Sequence, residues 1–275
     1  MPRLSVCVTT CDSAATLAAC LSSVAWADDL VVLDSGSRDE TAAIAERFGA
    51  RWFTQPFAGY AKQKQAALDL ARHDWVLLLD ADERLSPALA AEVQSLLTQP
   101  RDSLAAGYAL PRREQTFWRL AHAGISRNRY VRLVDRDRAR LSDAVVHESV
   151  LVDGPVEELR GDLLHHSETS IAVKVAKLNT YSTLAADDFA DRATPRRVGW
   201  LDLLARPPWA FVRNYVLQRN ALNGRAGFLC SAIGAMGVFL KYAKAIERQQ
   251  RDRMPRAPEA IDEGPSSPVR LAEAS

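Results

Sequence analysis

The chain is expected to fold as an α/β domain built on a doubly wound, mostly parallel sheet. Three observations carry that expectation. The run Trp75-Val-Leu-Leu-Leu-Asp80 is apolar without interruption, as in a strand covered on both faces of a parallel sheet. Strand-like and helix-like segments alternate β-α-β-α-β-α-β over about the first hundred residues. Three polar turns, Thr9-Thr10-Cys11-Asp12, Asp34-Ser35-Gly36-Ser37 and Asp80-Ala81-Asp82, fall at the ends of successive strands, where open α/β sheets bind ligands.

In chain order, Leu4 to Thr10 reads as the first strand. Ala14 to Ser23 follows with helical spacing of Leu17, Ala18 and Leu21. Leu30 to Leu33 is a second strand. Ser37 with Glu40 three residues on reads as a capping box that opens a helix to Phe48, with Gly49 just past its end. Arg51 to Thr54 is a third strand, Lys62 to Ala71 a helix, and Trp75 to Leu79 the fourth strand. Ser86-Pro87 supplies an N-cap and a first helical proline. The pattern then changes. Gly107 to Pro111 and Tyr130 to Val134 read as strands, Val145 to Val152 is strand-rich around His147-Glu148, and Asp153-Gly-Pro is a turn. Ile171 to Ala190 is helical, and a basic region opens at Arg196-Arg197 and is interrupted at Pro207-Pro208. Beyond Glu247 the composition shifts to Arg, Pro, Glu and Ser, which predicts a disordered tail.

Bulk composition bounds the class. The 275 residues are 48% hydrophobic and 25% charged, as in a soluble globular protein, and the formal net charge is only +1, which gives no reason to expect a nucleic-acid partner. Charge is uneven, however: Arg196 to Arg251 holds ten Lys/Arg against the two acids Asp202 and Glu247. The four cysteines, Cys7, Cys11, Cys20 and Cys230, form no Cys-x-x-Cys pair. Free thiols in a reducing cytosol are expected, not zinc or disulfides. Leu4 to Thr10 is too short for the apolar core of a secretory leader, and no run reaches the ~20 apolar residues of a membrane span.

Asp80 and Asp82 stand two apart at a strand end. Clustered carboxylates repel unless a cation joins them, and a hard divalent ion with phosphate oxygens on its far side is the natural partner. Alone, the pair reads equally well as a solvated turn that caps a helix. In the ligand-binding reading, Asp80 holds a ribose and Asp82 a metal bridging a diphosphate. Asp34 accepts hydrogen bonds from a base or ribose, and Gly36 lets the backbone come close to a ligand. Ser37 caps its helix.

The ordered set of motifs is more specific than any one of them. Leu4-Ser-Val, Asp34-Ser-Gly-Ser-x-Asp39-x-Thr41 and Leu79-Asp-Ala-Asp-Glu83 together resemble the inverting glycosyltransferases of family 2, which have the GT-A fold. Trp26-Ala-Asp28, Gln63-Lys-Gln-x-Ala-Leu68, Tyr130-Val-Arg-Leu133, Val146-His-Glu148, Leu178-Asn-x-Tyr-Ser-Thr183, Gly227-Phe228 and Phe239-Leu-Lys-Tyr242 narrow the likeness. They point to the branch that contains the lipopolysaccharide core β-1,4-glucosyltransferases, over roughly residues 3 to 246. The resemblance implies transfer of a hexose, glucose from UDP-glucose, to a bacterial glycolipid such as lipopolysaccharide inner core, or else to another lipid-linked or surface polysaccharide acceptor, with inversion and with Mg or Mn as the divalent cation. It implies a general base in the acceptor half, for which Glu148 is the first candidate and Asp143 and Asp135 are rivals. His147 becomes a metal ligand beside Asp82, or an orienting partner. Thr9, Asp12, Asp34, Gly36, Lys64, Asp80 and Arg132 become the nucleotide-sugar set. Structural roles stand beside these: a salt bridge for Glu148, a solvated helix face for Lys64, an ion pair for Arg132. The chain departs from the family pattern twice. Cys11-Asp12-Ser13 replaces the common Lys-Asn-Glu, and Gln65 replaces an Asn.

The implied organisation is a nucleotide-sugar half (1–100), an acceptor half (101–195), a basic amphipathic helical region (196–250) and a tail (251–275). The apolar run Gly227 to Leu240 is fourteen residues long and flanked by Arg225 and Lys241. It suits an interfacial or re-entrant helix on the anionic cytoplasmic face of the inner membrane, and equally a helix packed under the sheet. Two other classes are weaker. A sugar-phosphate nucleotidyltransferase would need a Gly/Arg-rich loop in place of Thr10 to Ser13. A non-catalytic surface protein would have lost the acids that are here retained.

Overall fold

The computed structural model describes residues 2–125, 127–142, 149–166, 170–190 and 197–251. β1 (Leu4–Thr10) leads through α1 (Leu17–Ser23) to β2 (Asp29–Asp34), through α2 (Thr41–Arg47) to β3 (Arg51–Thr54), and through α3 (Tyr60–Asp69) to β4 (Trp75–Asp80). β5 (Glu83–Leu85) and α4 (Pro87–Leu96) follow at once. Next come β6 (Gly107–Thr116), β7 (Arg119–Leu120), β8 (Arg129–Asp135), β9 (Ala139–Leu141), β10 (Val150–Val152), β11 (Val156–Glu158) and β12 (Leu163–His165). Helices α5 (Ile171–Ala190), α6 (Trp200–Val212) and α7 (Gly224–Arg251) close the described chain.

The main sheet has ten strands in the order β3-β2-β1-β4-β8-β6-β12-β5, with β7 and β11 paired to β6. β1 to β4 run parallel, and β8 makes the sheet mixed by pairing antiparallel with both β4 and β6. The chain works outward from β1 to β3, and α3 then carries it back so that β4 docks on the other flank of β1. Strand order therefore reverses between β1 and β4, which opens a crevice beyond their carboxyl ends, where Thr9 stands in register with Asp80.

Side chains alternate across these strands. Val6, Val8, Leu77 and Leu79 pack against α1, α2 and α4, while Cys7, Leu33, Val76 and Leu78 pack beneath α3. Covering both faces is what makes β4 apolar at every position, and each fully buried Leu there contributes about 1.5–3 kcal/mol. Within the motifs, Asp28 accepts the Leu4 amide at 2.9 Å and so pins the start of β1.

The structure corrects three local expectations. Helix α2 begins at Thr41, and no Ser37–Glu40 capping box forms. The Ser37 hydroxyl is drawn instead to Asp34, and it accepts the Asp12 amide at 2.8 Å. Asp39 organises the helix start by accepting the Thr41 and Ala14 amides at 3.0 Å each. Second, Pro207 and Pro208 lie inside α6 and do not interrupt it; they remove two backbone donors, and packing along α7 carries the helix through. Third, the apolar run Gly227–Leu240 sits within a 28-residue helix, and the helical stretch 220–251 is long and apolar enough to cross a membrane by length and composition.

The C-terminal helices pack on one another and on the sheet domain. Lys244 Nζ donates to the Asn179 carbonyl, Asn179 Oδ1, Ser182 Oγ and Thr183 Oγ1, all at 2.8 Å, so the Leu178–Thr183 motif is a socket for one α7 lysine. A Cβ on Gly227 would lie 1.8 Å from the Asn220 carbonyl oxygen, which restricts that position to glycine. Buried Asn223 accepts the His122 amide through Oδ1 at 2.8 Å, tying this layer to the loop before β8.

Candidate active site at the β1–β4 switch point

Asp80 ends β4 in the crevice. Thr9 Oγ1 donates to its Oδ1 at 3.2 Å, Lys64 Nζ lies 3.0 Å from Oδ1, and Arg132 Nη2 donates to Oδ2 at 3.0 Å. Burial opposes its charge, but Arg132 and then Lys64 outweigh that and hold the carboxyl well below the usual carboxylate range. Three residues singled out in the sequence thus meet on a fourth. Lys64 is 3% exposed, so it is no solvated helix-face lysine.

Beneath this cluster lies Glu83, 1% exposed. Its Oε2 accepts the Asp80 amide at 3.1 Å, and its Oε1 faces Arg132 at 3.1 Å and Arg112 at 3.4 Å. The turn at Asp80–Asp82 is therefore braced from below by one buried carboxylate, and Arg132 joins both acids.

Asp82 meets a residue that the sequence reading passed over. Its Oδ2 is 3.2 Å from His165 Nε2. The register of β12 explains the meeting: His165 stands opposite Glu83 of β5 on one side and Glu114 of β6 on the other. Glu114 Oε2 holds His165 Nδ1 at 2.5 Å, and Arg112 Nε donates to Glu114 Oε1 at 2.8 Å. Burial works against the imidazolium, but Asp82 and Glu114 push His165 up to about 9. The Glu114 carboxyl is lowered: burial opposes its charge, and His165 and Arg112 prevail.

The β2 turn is built around Asp34. Its Oδ2 accepts the Gly36 and Ser37 amides at 2.8 Å each and its Oδ1 the Ser37 hydroxyl, leaving it 2% exposed. In this arrangement Asp34 orders its own loop. Gly36 has φ +104, and a Cβ there would meet nothing within 4 Å, so its backbone conformation calls for glycine and its open side faces free space. Asp12, at φ +45, accepts the Arg38 amide at 2.7 Å and so bridges the first two loops. Gln65 is spent structurally: its Oε1 accepts the Leu141 amide at 2.8 Å. Gln63, two residues earlier, is 2% exposed, and neither of its amide atoms finds a hydrogen-bond partner among the described residues. Asp135 is paired with Arg101 at 2.8 Å, away from the crevice, which makes it a structural acid. Asp143, His147 and Glu148 fall outside the described residues.

Comparison with known proteins identifies the family. The family model for glycosyl transferase family 2 matches residues 5–159. The chain belongs to that family. It is 32% identical over 257 residues to the lipopolysaccharide core biosynthesis glycosyltransferase LpsC of Rhizobium meliloti, covering 90% of this chain and 93% of LpsC. An uncharacterized glycosyltransferase of Rickettsia felis is 30% identical, with 90% of each chain covered. Among solved structures, S. aureus TarS 1-349 in complex with UDP-GlcNAc matches at 12% identity and a TM-score of 0.45, covering 94% of this chain and 95% of that one. The mixed sheet, with its switch point between β1 and β4, is the GT-A fold expected of a family 2 glycosyltransferase.

Family 2 membership implies a divalent cation, and the residues fit one. Asp82 and His165 present a carboxylate oxygen and an imidazole nitrogen 3.2 Å apart, and the Asp82 side chain is 34% exposed. The Asp82 carboxylate is the hard oxygen donor that Mg²⁺ or Mn²⁺ takes, whereas an imidazole such as His165 is a less typical donor to these ions. Glu114 on the far nitrogen of His165 is the carboxylate–histidine support that metal-bound imidazoles commonly carry. Among the described residues no group of three His, Cys, Asp or Glu side chains is placed to hold a metal ion. Next to His165 and Glu114 opens a cleft of about 380 Å³ whose other walls include Arg113, Arg127 and Lys174.

Proposed function

We propose that this family 2 enzyme transfers a hexose, glucose from UDP-glucose, to a glycolipid of the lipopolysaccharide inner core, working at the cytoplasmic face of the inner membrane. The observation that carries the reading is the junction at Asp80 and Asp82. One acid is locked to Thr9, Lys64 and Arg132, and the next faces outward beside His165. Likeness to LpsC along nearly the whole chain supports the acceptor class.

In this reading each residue has a task. Asp80, fixed and ionised, accepts from the donor's ribose. Lys64 and Arg132 keep it charged and set a positive field behind the diphosphate. The Asp34 turn and Gly36 shape the base-side wall, with Thr9 and Asp12 at its edge. Asp82 and His165 would hold the divalent cation, which would neutralise charge on the leaving diphosphate. His165 must give up its proton to serve as a ligand. Glu148 takes the proton from the acceptor hydroxyl, and His147 orients it. The cleft beside His165 receives the acceptor.

The test is a panel of nucleotide sugars incubated with the purified enzyme and Mg²⁺ or Mn²⁺, scoring nucleoside diphosphate released with and without truncated core glycolipid. Acceptor-dependent release of UDP from UDP-glucose is expected. Release from a different donor alone would overturn the donor assignment, and release independent of acceptor would overturn the acceptor class.

A further inference from the structure

We propose that the outward face of α6 is a membrane-docking surface that lies flat on an anionic lipid layer, and that α7 does not cross it. This deepens the membrane-surface reading above by naming the element that makes contact.

A surface helix ordinarily turns its apolar stripe to the core and its charges to water. α6 carries, besides its inward stripe, a second apolar face turned outward. Leu201, Leu204, Ala205, Pro208, Trp209 and Val212 occupy offsets of 0, 3, 4, 7, 8 and 11, which is one helical face, and all six are exposed. Leu201 is 83% exposed, Leu204 66% and Trp209 58%. The opposite face holds Leu203, Pro207 and Ala210 and packs inward. Charges sit on the flank: Arg206 pairs with Asp202 at 2.6 Å. The exposed strip continues past the helix through Val216 and Leu217. A contiguous apolar face of this kind on a soluble domain marks an interaction site.

Charge decides the occupant. Arg213, Arg219 and Arg225 follow the strip, and among the described residues no acid stands between Asp202 and Glu247. A Leu/Trp face with basic residues beside it matches an anionic interface, where the rings sit at headgroup depth. A second copy of this chain would bring the same arginines against their equivalents.

α7 has the composition of a span, and 22% of its apolar window is buried in the protein. It packs along α5 and α6, and its Lys244 is sunk in the α5 socket. Its Arg248 pairs with Asp187 of α5. Crossing a lipid layer would strip α7 of this packing against α5 and α6.

The test is co-sedimentation of the full chain with vesicles of phosphatidylethanolamine and phosphatidylglycerol, against vesicles of phosphatidylcholine alone. The wild type is expected to pellet with the anionic vesicles and to be released by high salt or alkaline carbonate. The double variant Leu204→Glu/Trp209→Glu is expected to bind roughly tenfold or more weakly, while Val156→Glu, an exposed position on β11, binds as the wild type does. UDP titration checks that both variants keep their fold and separates failure here from failure of the catalytic reading. A second readout needs no charge insertion: brominated lipid should quench wild-type tryptophan fluorescence, and Trp209→Phe should remove part of that quenching. Unchanged binding by the double variant, or equal binding to phosphatidylcholine, overturns the proposal. Carbonate-resistant membrane retention would mean that α7 spans. A lipid-free dimer that the double variant dissociates would assign the face to a second copy.

Discussion

Glu83 offers the sharpest test of how the crevice is held together. Glu83→Gln keeps the side chain's shape and removes its charge. The native carboxylate serves three donors at once: the Asp80 amide through Oε2 at 3.1 Å, and Arg132 and Arg112 through Oε1 at 3.1 and 3.4 Å. A glutamine has one acceptor oxygen, so either the amide or the guanidinium pair loses its partner. Removing one member of a buried ion pair typically costs about 3–5 kcal/mol. Here Arg132 retains Asp80 and Arg112 retains Glu114, which places the pair loss near the lower end. Adding the unsatisfied donor gives an expected loss of about 3–4 kcal/mol in unfolding free energy. For a chain of this size that is a fall in Tm of about 6–16 °C. Thermal and urea unfolding of Glu83→Gln beside the exposed control Glu157→Gln would measure it. A loss below about 1 kcal/mol, the ordinary range for a surface change, would refute the idea that this carboxylate braces the site.

Other expectations follow from the same structure. Glu114→Gln removes the support behind His165 and should weaken Mn²⁺ affinity by about 10–100-fold; electron paramagnetic resonance of bound Mn²⁺ reads this, and unchanged affinity would deny the relay. Gln63→Met replaces a buried amide that has no partner among the described residues and should raise unfolding free energy by about 1–2 kcal/mol, where a loss would mean the amide is satisfied in solution. Gly36→Ala forces a side chain into φ +104 and should cost about 1–3 kcal/mol, seen in urea unfolding. Asp29 carries a pH signature. Burial opposes its charge, but Arg51 and Ser5 hold its carboxyl below the ordinary range, so its contribution is full above the usual carboxylate pKa of about 3.9 and fades as pH falls below it. Asp29→Asn should therefore lower stability at neutral pH and flatten the stability profile below about pH 4; an unchanged acid slope would contradict the linkage.

How much was legible in the sequence depended on the range of the forces involved. β4 and its acids were readable because burial on both faces leaves a local mark, an apolar run that ends in charge. The alternation of strands and helices followed from the same periodicity, and with it the placing of Thr9, Lys64 and Asp80 on neighbouring elements. His165 was not readable. It reaches Asp82 only because β12 lands between β5 and β6, and its partner Glu114 lies 51 residues away in sequence. A doublet, His165-His166, after a short apolar pair was the only local hint. The Ser37–Glu40 capping box failed because Asp34, three residues back, competes for the same hydroxyl. Pro207-Pro208 looked like a break because local rules omit the α7 surface against which α6 packs. Gln65, which stands where the family pattern has an Asn, is captured by the Leu141 amide of β9, a contact 76 residues away.

The most direct test of the central claim, that the end of β4 is a metal–nucleotide site, is calorimetric titration of UDP with and without Mn²⁺ into the wild type, Asp80→Asn and Asp82→Asn. Wild type is expected to bind UDP more tightly with Mn²⁺. Asp82→Asn should lose the metal-dependent gain, and Asp80→Asn should lose most of the affinity in either condition. UDP binding that is the same in all three proteins, with or without Mn²⁺, would contradict the claim.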